Sequence, residues 1–158
     1  MIAESSFFQF DDFLVLRYSC EFIDPSSKQK DLKIKSITDK YIVDVDFTIV
    51  KKDEENKNLT YCKISINNSD KKLPGYSIFA EGVGVFDGDL GKELEQNRYI
   101  NEIQIPAIAH GINHLRNFIM NATSQSPFGK YVVPFLDLGK LIKSKAERAA
   151  AIKKATTN

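Results

Sequence analysis

Through the first half of the chain, apolar and polar residues change places every second position, and in the second half they recur every third or fourth. The first pattern is that of strands, the second that of helices. From Phe7 to Ile23, Phe8, Phe10, Leu14, Leu16, Tyr18, Cys20 and Phe22 share one parity, while Phe7, Phe13, Val15 and Ile23 occupy the other. This predicts one long strand, bent near Asp11-Asp12, with both faces partly covered. After a turn at Asp24-Pro25 and a polar loop, Leu32, Ile34 and Ile37 add a short extension. Val43, Val45, Phe47 and Ile49 alternate with Asp44, Asp46 and Thr48, predicting a second strand over 41–50. A charged hairpin loop leads to a third strand over 59–66, and a polar turn leads to a fourth over 76–86. Gly82 and Gly84 inside that fourth strand mark a bulge or a close approach of backbone.

The period changes after Ile103. Pro106 suits the first turn of a helix, where its missing N–H would be unpaired anyway. Ile108, Ile112, Leu115 and Ile119 then fall on one face, with Ala122 extending the stripe and Phe118 widening it, which predicts a helix over about 106–123. Ser124-Gln125-Ser126-Pro127 is a turn, and the residues up to 136 are too apolar for an ordinary loop. Asp137 caps a second helix over about 137–154, with Leu138, Leu141 and Ile142 on one face. Strands in one block (about 7–88) and helices in the next indicate an α+β domain over 1–158. Its predicted form is a four-stranded antiparallel sheet, read as a meander, followed by two helices linked by an extended crossover at 124–136.

Composition adds bounds. The 158 residues are 42% hydrophobic and 27% charged, with a formal net charge of +1, so no overall field points to nucleic acid or a membrane surface. No apolar run approaches the roughly 20 residues of a membrane helix. The first residues are acidic where a signal peptide is basic, and the expected location is the cytoplasm. Cys20 and Cys62 sit in strand-like runs and read as reduced, small hydrophobes.

Candidate chemistry is sparse. His110 and His114 stand four apart on the first helix, a spacing found in zinc sites, but no HExxH motif accompanies them and no Cys is near in sequence. A contact between helices or subunits explains the pair more simply. The Asp87 loop has Lys92 and Arg98 where a calcium loop needs Gly and a bidentate Glu. Asp44 and Asp46 read as solvated positions on a half-exposed strand. Nucleophile elbows, phosphate-binding loops and dinucleotide glycine patterns are missing, so no enzyme activity, cofactor or metal is expected. The positive signal is the crossover itself, in which Phe128, Tyr131, Val132, Val133, Phe135 and Leu136 lie between two prolines. Such a segment either fills the core or offers an apolar surface to something else.

A Pro-led helix with an Arg near its middle, a crossover ending in a Pro and then a second helix resembles the C-terminal half of the bacterial export chaperone SecB. The matching residues are Pro106, Leu115-Arg116, Pro127 and Pro134-Phe135, with Gly84-Val85-Phe86 similar to the Gly-Ile-Phe that ends the family's last strand. The resemblance implies a holdase that keeps unfolded polypeptide in an apolar groove walled by the crossover and the second helix. It places Phe128, Tyr131, Val132, Val133, Phe135, Leu136, Leu138, Leu141 and Ile142 in that groove, with Phe128 and Tyr131 beside Gly129 the most exposed. It also implies a dimer of dimers, for which Phe8, Phe10, Leu14 and Leu16 on the first strand and Ile108, Ile112 and Leu115 on the helix are the expected subunit interface. The departures count against docking to the motor ATPase SecA. Ser77 and Phe79 stand where a Leu and a Glu serve that contact, Arg17 replaces one strand acid while Glu21 matches another, and the tail is basic. Two other readings stay open: an adaptor of the same fold dedicated to one partner, such as an antitoxin or a secretion component, and a small metal enzyme built on His110 and His114.

Overall fold

In a computed structural model the protein is described over residues 9–25, 37–52, 57–87 and 99–156, with side chains described as far as Ala149. Phe8, Leu32, Ile34 and the segment 88–98 lie outside these residues. The elements are β1 (Gln9–Ile23), β2 (Val43–Lys52), β3 (Lys57–Ile66), β4 (Gly75–Asp87), a π-helical turn at Ile100–Gln104, α1 (Ile105–Ala122) and α2 (Leu138–Thr156). The architecture is the expected one, an antiparallel four-stranded sheet followed by two helices. Its strand order is β1-β4-β3-β2, so only β2 to β4 form a meander, and β1 pairs with β4 instead of with β2.

The mixed parity of β1 has a local cause. Its register against β4 shifts between Phe10 and Asp12 and again between Val15 and Arg17, each time inserting one extra residue. An extra residue turns every later side chain to the other face. Phe10, Phe13, Val15, Tyr18, Cys20 and Phe22 therefore oppose Phe86, Gly84, Gly82, Ala80, Ile78 and Tyr76, although Phe13 and Val15 differ in sequence parity from the other four. Gly82 and Gly84 are the positions over which the Phe13 ring lies. A Cβ on Gly82 would come within 2.6 Å of that ring.

The buried face of the sheet carries Ile64, Ile66, Ile78 and Ala80, all essentially solvent-free, and α1 lays Ile108, Ile112, Leu115 and Ile119 against them. Gly111 lets the helix approach closely, since a Cβ there would lie 2.7 Å from Cys62 Sγ. Ile108, Ile112 and Leu115 are thus spent inside the protomer, and the expectation that they form a subunit interface is corrected. Periodicity identifies a buried face but cannot say whether this chain or another covers it.

A tyrosine network fixes the end of the sheet nearest the crossover. The Tyr41 hydroxyl donates to the Pro74 carbonyl at 2.7 Å and accepts from the Tyr76 N–H at 2.8 Å, bridging the start of β2 to the start of β4. Between them Gly75 has φ +106°, and a Cβ there would sit 2.1 Å from Tyr41 Oη. Gly75→Ala therefore meets both backbone strain and overpacking, and is expected to cost about 3 kcal/mol. Gly129→Ala, at φ +75° with nothing near, should cost only about 1 kcal/mol. Chemical denaturation of the two variants side by side checks the contrast.

Candidate functional site

The crossover is held without a strand ladder. Residues 129–137 pair with no strand, yet three side chains fasten the segment's backbone. Tyr76 Oη donates to the Gly129 carbonyl at 2.5 Å. Thr123 Oγ1, which donates to the Ile119 carbonyl at the end of α1, accepts the Tyr131 N–H at 3.0 Å. Arg116 donates through Nε and Nη2 to the Val133 carbonyl at 3.1 and 2.8 Å. The segment is consequently a fixed extended strap, with sides that alternate over 131–134 as in a strand.

Burial divides the nine expected groove residues. Tyr131 is 6% exposed and Val133 1%, both within the core. Val132 is 55% exposed and Phe135 91%. The expectation that Tyr131 lies open is therefore corrected. Its ring packs beside Tyr41 and Tyr76, and burial pushes its hydroxyl up to about 12. Phe128 is half-buried against Tyr76 and Phe22. Leu136, Leu138, Leu141 and Ile142 are also half-buried, resting on the edge of the core. The Phe135 ring stands out into solvent over the Arg116 guanidinium, 4.3 Å from its centroid, so one arginine both clamps the strap and seats its most exposed ring. Arg116 attracted notice in the sequence, but nothing there linked it to Phe135.

Two clefts flank the strap and α2 along β2, which is an edge of the sheet. The first, about 590 Å³, lies between the crossover and the beginning of β2, with Tyr41, Val43, Tyr76, Phe128, Tyr131 and Val132 among its walls. The second, about 440 Å³, lies between β2 and α2, where Val45, Phe47 and Leu141 meet Asp46, Lys63 and Lys145. Asp137 starts α2 as expected, accepting the Lys140 N–H on Oδ1 at 3.0 Å. Both clefts combine apolar and polar walls with the outer edge of β2, which no strand pairs among the described residues.

On the opposite face of the sheet, Arg17 lies over the Phe79 ring at 5.3 Å and Glu21 pairs with Lys72. On β1, Phe10 is still more than a third exposed despite facing the helix side, and Leu14 and Leu16 are half exposed. His110 and His114 meet Nε2 to Nε2 at 3.0 Å, so one ring donates and the other accepts. Phe10 and Phe13 of β1 stack on the pair. Among the described residues, no group of three or more His, Cys, Asp and Glu side chains comes together, and no helix is long and apolar enough to cross a membrane.

No protein-family model matches the sequence, and no curated protein matches it. Solved structures do. A SecB-like chaperone of Mycobacterium tuberculosis, in complex with a ChAD peptide from the HigA1 antitoxin, aligns with a TM-score of 0.52 and 14% identity over 82% of this chain and 90% of that one. A Streptococcus agalactiae protein of unknown function aligns with a TM-score of 0.45 and 13% identity over 81% of this chain and 97% of that one. At this identity the first likeness is one of fold, and the fold of this chain is SecB-like.

Two outcomes follow from the geometry. Tyr131→Ala should cost roughly 3–5 kcal/mol in denaturant unfolding, whereas Val132→Ser should cost well under 1 kcal/mol. Burial, followed by the neighbouring His114, holds His110 below its ordinary value. A depressed folded value means that the unfolded chain takes up the proton first, so this contribution to stability is present above about pH 6.5 and is lost as pH falls below it. Replacing both histidines with Gln should flatten the dependence of the thermal midpoint on pH between about 7 and 5.

Proposed function

We propose that the protein is a SecB-like holdase that keeps extended, unfolded polypeptide along the groove formed by the crossover, α2 and the free edge of β2. One observation carries this reading: a backbone-clamped strap that leaves Val132 and Phe135 exposed, with Val132 on the wall of the first of two clefts along β2. Fixed apolar side chains next to an unpaired strand edge suit an extended chain. The edge offers backbone hydrogen bonds, and the clefts accept side chains of many shapes. Holding needs no bond-making, so no catalytic group, cofactor or metal has a part in it.

The reading also covers assembly and partners. We place unfolded or partly folded polypeptides in the groove and further copies of this chain on β1, as a dimer of dimers acting in the cytoplasm. A 15-residue edge strand with exposed Phe10, Leu14, Val15, Leu16 and Phe22 supports pairing there, because an unpaired apolar edge of that length invites aggregation. Docking to SecA lacks comparable support, since Glu21 is engaged by Lys72 and Arg17 stands on Phe79. A second reading, a chaperone dedicated to one partner, is favoured by the peptide found on the M. tuberculosis chaperone of the same fold, which comes from an antitoxin.

Val132→Ser with Phe135→Ser should leave the thermal midpoint nearly unchanged and reduce suppression of aggregation of a chemically unfolded client several-fold. Full suppression by that double variant would remove the strap from the binding surface. Light scattering should find an oligomer at micromolar concentration, and a stable monomer would overturn the pairing through β1.

A further inference from the structure

The outer edge of β2, open among the described residues, is plugged at one residue. In a strand, the N–H and C=O of a given residue point the same way, so Phe47 presents both groups together at the open edge. Both are occupied by side chains. Asp46 Oδ1 accepts the Phe47 N–H at 2.9 Å, and Lys145 of α2 donates to the Phe47 carbonyl. Lys145 also donates to Asp46 Oδ1 at 2.5 Å and lies 4.6 Å from the Phe47 ring centroid. The pair thus takes the place that one residue of a neighbouring strand would fill, and it ties α2 across the second cleft.

We propose that the Asp46–Lys145 pair is a displaceable plug that selects which extended chains enter the cleft between β2 and α2. This deepens the groove reading and rests on it. A chain laid along β2 must take both hydrogen-bonding groups of Phe47, so it must move both side chains. Asp46 is not stranded when Lys145 leaves, because Lys63 stands 3.3 Å from its other oxygen. Among the described residues Lys145 has no second carboxylate partner, and a chain that brings a carboxylate beside Phe47 supplies one. Arg148, one turn further along α2, lines the same cleft and adds a second cation. The side chains of Lys145 and Asp46 are 38% and 43% exposed, and an ion pair that open to water holds weakly enough to exchange. Chains with an acidic residue at the plug are therefore admitted in preference to neutral or basic ones of equal apolarity.

The test uses three unstructured peptides of one apolar sequence that differ at a single central position, Glu, Gln or Lys. Binding is followed by fluorescence anisotropy on the full chain and on Lys145→Met, which keeps the apolar stem over Phe47, with Lys145→Gln as a second variant. The wild type should favour the Glu peptide over the Gln peptide by up to about five-fold, the reach of a half-exposed ion pair. Lys145→Met should lose that preference and bind the Gln peptide more tightly than the wild type does. Added salt should raise the wild type's affinity for the Gln peptide and leave the variant's unchanged. Equal affinities of wild type and variant for the Gln peptide, or a Glu preference that survives in Lys145→Met, overturn the plug while leaving the groove in place. Failure of every peptide to bind either form removes the groove reading and the plug with it.

Discussion

One helix covers the apolar face of four strands, and the rest of the structure answers that shortfall. Four strands place their outer axes about 14 Å apart. A helix with its side chains is about 10 Å wide. The Ile108, Ile112, Leu115 and Ile119 face of α1 lies chiefly over β3 and β4, the middle of the sheet. Each flank is closed by other means. Over β1, the rings of Phe10, Phe13, Tyr18 and Phe118 with the histidine pair fill the space beside the helix. Over β2, Tyr131 and Val133 of the crossover and Leu138, Leu141 and Ile142 of α2 do so. Covering a flank with an extended strap fixes the strap's conformation. Over 131–134 every second side chain is then left outside, which is where Val132 comes from, and Phe135 breaks the alternation and stands out over Arg116.

Much of this was legible in the sequence because it depends on local periods. The four strands, the 3.6-residue stripe of α1, the Asp137 cap and the apolar crossover each leave a pattern that needs no partner to be read. The strand order was not. That β1 lies beside β4 is a statement about residues more than fifty positions apart, and alternation within a strand says nothing about its neighbour. The bulges of β1 were half legible. Mixed parity showed that something was irregular, but only the register shows that the extra residues put Phe13 and Val15 on the helix-side face of the sheet.

The crossover was legible as a segment and not as individual side chains. Proximity to Gly129 suggested that Tyr131 would be open, yet the Thr123 bond to its N–H and the Tyr41–Tyr76 pair close over it. Which alternate residue of an extended strap faces inward depends on where its backbone is fastened. Here the fasteners are Tyr76, Thr123 and Arg116, three residues from two different elements. Polar residues with such roles look like ordinary surface positions in a sequence. The same holds for Asp46 and Lys145, which lie 99 positions apart and meet over Phe47.

The two sheet edges differ in how they are guarded, and this sets what each can do. An open edge of backbone groups recruits other strands unless something occupies it. On β2 that occupant is a charged pair drawn from the strand itself and from α2, both side chains partly open to water. On β1, Asp12 Oδ1 accepts the Phe13 N–H at 2.7 Å, a comparable local cap on one bulge, but the carbonyl side has no counterpart to Lys145 among the described hydrogen bonds. Beyond it run Leu14, Val15 and Leu16, all exposed and apolar. An edge guarded by exchangeable charges suits transient visitors, because each can be released when the plug returns. An edge lined with apolar side chains suits a lasting partner, because exposing it again costs the burial of several large residues. The contrast between the edges therefore follows from the side chains beside them.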